Sequence, residues 1–116
     1  MAFIVVFAGE YDIACKVQFR NEMTRLRSRA DVVLDFTEVT YVDSTIVAEL
    51  LLLAKDRIYA GLPPQKMILS NHSSVRRVFD LVQLEKVITL VTSVDGVKKR
   101  ERPVDQVQFA FSGRSA

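Results

Sequence analysis

The chain has 116 residues, 49% hydrophobic and 26% charged, enough to bury one core, too few for two, and far from the polar composition of a disordered segment. Sixteen Lys and Arg against 14 Asp and Glu leave a formal charge of +2, so no direct nucleic-acid partner is expected. Cys15 is the sole cysteine, which excludes an internal disulfide and a thiolate metal site and fits a reducing compartment.

In chain order, Ala2 to Phe7 is a continuous apolar run that reads as a strand buried on both faces and ending at Ala8-Gly9-Glu10. It is too short for a signal h-region. Asp12 then opens an amphipathic helix whose stripe is Cys15, Phe19, Met23 and Leu26. Val32 to Phe36 is the next buried strand, followed by a turn-like Thr37-Glu38-Val39-Thr40. Asp43 is a good N-cap for a helix running to about Ala60, with Gly61 ending it and Pro63-Pro64 preventing its continuation.

That second helix is apolar nearly all round. Val47, Leu51, Ala54 and Ile58 are read as its core stripe, which leaves Ile46 and Leu53 to one side and Leu52 and Tyr59 to another; either neighbouring helices cover these flanks, or Ile46, Glu49 and Leu53 form a patch facing a partner beside Ser44. Its leucine-rich part, Ile46 to Ala54, is shorter than the ~20 residues of a membrane helix and contains Glu49, so no membrane contact is expected.

Lys66 to Ser70 reads as a third strand, and Ser73 or Ser74 as the cap of a helix buried through Val75, Val78, Phe79 and Val82. Val87 to Val91 is a fourth strand, and Ser93 opens a last short helix that frays into Lys98, Lys99 and Arg100. The order βαβαβαβα requires right-handed crossovers, hence an α/β fold: a mostly parallel sheet of about four strands under about four helices. Residues 1–100 form the domain. Residues 101–116 are a tail, either partly ordered or, through Val104, Val107, Phe109 and Phe111, an extra edge strand that pairs with this chain or with a second copy in a homodimer.

The carboxyl ends of parallel strands share one edge, the usual place for function. There the sequence collects Glu10, Asp12, Asp35, Glu38 and Asp43, with Ser44 in the first turn of a helix among them. A helix start tolerates an added phosphate, because its unpaired N–H groups and dipole favour an anion. By itself the Asp-Ser pair also fits a plain cap. An enzyme reading would combine Ser44 as nucleophile with His72 and Asp12, but no nucleophile-elbow glycines accompany Ser44. Catalysis is therefore not expected, nor is a metal or cofactor.

Several segments together are more specific. Gly9-Glu10-Tyr11-Asp12 resembles the Gly-Glu-Leu-Asp opening of STAS domains, Val33-Leu34-Asp35-Phe36 their Val-Leu-Asp-Leu strand, and Val42-Asp43-Ser44-Thr45 the segment ending Asp-Ser-Ser-Gly. Val75 to Leu81 resembles their third helix, and the match is collinear from Ala2 to about Lys99. The departures are Thr45-Ile46 in place of Ser-Gly and Gln83 in place of a common glycine.

The resemblance implies an anti-sigma factor antagonist, cytoplasmic and acting on transcription through protein partners. Unphosphorylated, such a protein captures an anti-sigma factor that is usually a GHKL-type ATPase and serine kinase; phosphorylation releases it, and a phosphatase resets the system. Ser44 occupies the phosphorylated position, with Thr45 as second choice. The expected switch surface is Asp12, Asp35, Asp43, Ile46, Glu49 and Leu53. A STAS adaptor or scaffold without the phosphoswitch is the alternative.

Overall fold

The opening apolar run forms β1 (Phe3–Tyr11) and continues four residues beyond Phe7, so Ala8-Gly9-Glu10 is strand and not the predicted stop. The structure is a computed structural model that describes residues 3–69 and 72–91 and the backbone of 99–101. β2 (Val32–Val42) likewise extends through Thr37 to Thr40, where a turn was expected. Two irregularities in the β1–β2 register, at Val6/Ala8 and Gly9/Glu10, place two extra residues in β2. Such bulges break the strict alternation of a strand. The buried residues beyond Phe36 are accordingly Val39 and Val42, three apart, and this polar-rich spacing imitates a turn.

Helix α1 (Lys16–Leu26) is entered through a 3-10 turn at Ile13–Cys15 capped by Asp12. Its predicted stripe of Cys15, Phe19, Met23 and Leu26 is buried. After α2 (Ser44–Tyr59), the N–H groups of Gly61 and Leu62 bond the carbonyls of Ile58 and Arg57 at 3.0 and 2.8 Å, a Schellman ending that uses the positive φ of Gly61. Next come β3 (Lys66–Ile68), α3 (Ser73–Leu81), a 3-10 turn at Leu84–Lys86 and β4 (Thr89–Val91).

β5 (Lys99–Glu101) lies where a fraying helix end was expected. Among the described residues the sheet therefore has five strands, in the order β4-β3-β2-β1-β5, and every neighbouring pair is parallel. The predicted last helix at 93–97 and the tail beyond Glu101 lie outside the described residues.

One sheet face carries the main core, where Val5, Phe7, Leu34, Phe36 and Met67 meet the buried side chains of all three helices. Phe7 is central, with ring centroids 5.5 Å from Phe19 and 5.1 Å from Phe36. The other face holds a smaller cluster of Ile4, Val6, Val33 and Ile68. Within α3, Val75 and Phe79 are buried and Val78 is partly buried, but Val82 is exposed, because the helix has already ended at Leu81.

Gln83, directly after α3, has φ 53° and ψ 48°. That left-handed geometry places Cβ against the following carbonyl, a penalty of roughly 1 kcal/mol that glycine escapes. Gln83→Gly should therefore raise stability by about 0.5 to 1 kcal/mol in thermal or urea unfolding. A loss of stability instead would show that the glutamine side chain outweighs the backbone strain.

Candidate functional site

Both Asp12 and Asp43 end a strand and start a helical turn, and each uses its carboxylate in the same way. Asp12 accepts the Ala14 N–H at 2.9 Å. Asp43 Oδ1 accepts the Ile46 N–H at 3.2 Å, which caps α2, while Oδ2 accepts the Ile13 N–H at 3.0 Å from the neighbouring turn. One side chain thus fastens the start of α2 to the turn before α1. Ser44, the first residue of α2, is exposed beside this clamp, and Thr45 is half-buried.

Burial divides the expected switch surface. Asp12 and Asp43 stand at the Ser44 end, as expected, with Asp12 only 9% exposed. Ile46 and Leu53 are 0% and 1% exposed and belong to the main core, so neither can present an apolar group to a partner. The core face of α2 consists of Ile46, Val47, Leu50, Leu53, Ala54 and Arg57; Leu51 is partly buried and Ile58 is 53% exposed. The predicted stripe was rotated by about one residue, because the buried position after Leu53 and Ala54 is occupied by arginine.

Glu49 is also buried. Its carboxylate accepts from Arg20 Nε at 3.1 and 3.2 Å and from Nη2 at 2.6 Å, tying α2 to α1. The same hydrogen bonds, followed by the direct charge attraction, raise the pKa of Arg20. Glu49 is thus a helix-to-helix tie and not part of an open patch. Asp35 is 2% exposed, and it accepts from the Thr37 N–H at 3.0 Å and the Thr37 hydroxyl at 2.7 Å. It stands in mid-strand and contributes no exposed charge beside Ser44.

His72 caps α3 in place of the predicted serines: Nδ1 lies 2.8 Å from Ser74 Oγ and accepts from its N–H at 3.4 Å. Ser74 Oγ in turn donates to the Thr40 carbonyl at 2.8 Å, bringing the α3 start against the end of β2. Ile13, in the turn before α1, and Val17, in the first turn of α1, are each 68% exposed.

The carboxyl edge of this parallel α/β sheet thus carries an exposed serine at a capped helix start, and the capping carboxylate also holds the turn before α1. The sequence matches the STAS domain family over residues 2–97, and the chain belongs to that family. No curated protein matches it.

Among solved structures, a candidate anti-sigma factor antagonist from Thermotoga maritima superposes with a TM-score of 0.66 at 17% identity, covering 78% of this chain and 80% of the other. The anti-sigma factor antagonist SpoIIAA in its unphosphorylated form gives 0.63 at 17% identity, covering 78% and 79%. These likenesses establish the STAS fold. Among the described residues, no helix is long and apolar enough to cross a membrane.

Proposed function

We propose that this STAS domain is a cytoplasmic anti-sigma factor antagonist that works by partner switching through Ser44. In the unphosphorylated state it holds an anti-sigma factor that is also a GHKL-type serine kinase, and the sigma factor goes free. The kinase then transfers the γ-phosphoryl group of ATP to Ser44 Oγ: the Oγ–P bond forms, the bond to the β-phosphate breaks, and the serine proton passes to a base of the kinase. Capture ends, until a phosphatase hydrolyses the ester. Transcription changes through proteins alone, without contact between this chain and DNA.

The observation that carries the reading is the exposure of Ser44 at the first position of α2, immediately after Asp43. A phosphate there meets the positive end of the helix, so the fold accommodates it. A partner does not. Two added charges facing one carboxylate at ~6 Å, with an effective dielectric near ~40, repel by about 2 to 3 kcal/mol, equivalent to roughly 30- to 150-fold in affinity. Ile46, which departs from the family's glycine, points into the core and leaves the surface at Ser44 unaltered.

Phosphopeptide mapping of the protein recovered from its native cells tests the assignment. Phosphate on Ser44 is the expected result. Phosphate on Thr45 would move the switch by one position, and protein that stays unmodified under every growth condition while still bound to its partner would favour a passive adaptor.

A further inference from the structure

We propose that the far end of the α1–α2 helix pair is the contact surface of a homodimer, with Tyr59 of each copy seated in a recess of the other. The inference is independent of the Ser44 reading. Leu52, Asp56 and Tyr59 stand four and three residues apart within α2, and so form one stripe on that helix. The fold leaves this flank open: Leu52 is 44% exposed and Tyr59 94%, and no other large apolar side chain among the described residues reaches the exposure of Tyr59. An aromatic ring held this far into water is the kind of group that supplies much of an interface's affinity once it is covered.

The occupant follows from what surrounds the ring. Tyr59 stands at the edge of an open recess of ≈ 630 Å³ that is bounded also by Arg27, Asp56, Ala60 and Leu62. A second recess of ≈ 280 Å³, between the two helices, shares Arg27 and Asp56 with the first and adds Met23 and Leu52. One surface thus carries both a projecting ring and the hollow to receive one. Charges of both signs stand at the border of the two recesses: Arg27 and Asp56 are 3.9 Å apart, beyond hydrogen-bond distance, and 54% and 36% exposed. A two-fold contact brings residue i against j and j against i, so it needs this pairing of projection with hollow and of cation with anion, whereas a surface of one sign would repel its own copy. Arg27 of each copy then meets Asp56 of the other, beside the two buried rings.

This surface lies away from the serine. α2 has 16 residues, which at ~1.5 Å each puts Tyr59 about 22 Å from Ser44 along the helix. Dimerisation should therefore be indifferent to charge at Ser44, and each dimer offers two serine ends.

Sedimentation equilibrium of the full chain between about 1 µM and about 500 µM tests the proposal, because self-association follows mass action. A reversible dimer is expected, with Ser44→Glu indistinguishable from the parent. Tyr59→Ser, which removes almost no packing within one copy, should weaken the dimer at least about tenfold and melt with the parent. Arg27→Glu and Asp56→Arg should each weaken it about tenfold alone, the first setting acid against acid and the second base against base, while an equimolar mixture of the two should associate as tightly as the parent. A chain that stays monomeric throughout that range, a dimer that survives Tyr59→Ser, or a mixture no tighter than its components would overturn the proposal. So would a dimer lost in Ser44→Glu, which would place the contact at the serine end.

Discussion

Arg57→Met is expected to cost about 3 to 5 kcal/mol, a larger loss than any substitution at the switch end should cause. Arg57 is 0% exposed inside α2. Its guanidinium donates to the carbonyls of Leu26 at 2.9 Å, Arg29 at 2.6 Å, Ala30 at 3.1 Å and Pro63 at 2.8 Å. These four acceptors belong to the end of α1, the connection to β2 and the loop after α2, so one cation ties three backbone segments together. Burial lowers the pKa of Arg57 and the charge of Asp31 opposes that shift, but arginine stays protonated throughout the working range.

Methionine fills much of the volume and satisfies none of the four carbonyls. Lysine keeps the charge, but its single ammonium cannot span the fork, so Arg57→Lys should still lose about 2 kcal/mol. Urea unfolding checks both. A methionine variant within about 0.5 kcal/mol of the parent would mean that water replaces the guanidinium at little cost.

Phe79→Ala should cost a similar ~3 to 5 kcal/mol. α3 has nine residues, and of its side chains Val75 and Phe79 alone are buried. The Phe79 ring stands 6.2 Å from that of Phe36, which joins the aromatic chain running through Phe7 to Tyr11 and Phe19. Truncation opens a cavity beside Phe36 and removes one of the two buried side chains of α3. The melting temperature should fall by about 10 °C or more, and a fall of only a degree or two would place Phe79 outside the cooperative core.

Much of this was legible in the sequence because apolar runs and caps are local signals. Val32 to Phe36 reads as a buried strand since nothing in it is polar except Asp35, and Asp43 announces α2 whatever surrounds it. The face of α2 was not legible. Apolar residues occupy nearly all sides of that helix, and the position that completes its true core stripe is Arg57, whose partners are backbone carbonyls up to 31 residues away in sequence. For the same reason Glu49 read as an open charge: its role depends on Arg20, one helix away. The length of β2 was hidden by bulges, which exchange alternation for a spacing that sequence periodicity assigns to turns. The Asp43 cap and the place of Ser44 in the first turn of α2 are local signals, whereas the Asp43–Ile13 clamp joins residues 30 apart and needs the fold.

The central claim is that Ser44 reports to a partner and not to the fold. Its most direct test is affinity for the protein that co-purifies with the Ser44→Ala variant, measured for Ser44→Ala, Ser44→Glu and the stoichiometrically phosphorylated parent, with melting curves taken in parallel. Ser44→Ala should bind like the unmodified parent and phosphorylated protein roughly 30- to 150-fold more weakly, with Ser44→Glu between them at about tenfold because it carries one charge, and all melting within a few degrees of one another. Phosphorylated protein that binds as tightly as Ser44→Ala, or that unfolds, would contradict the account.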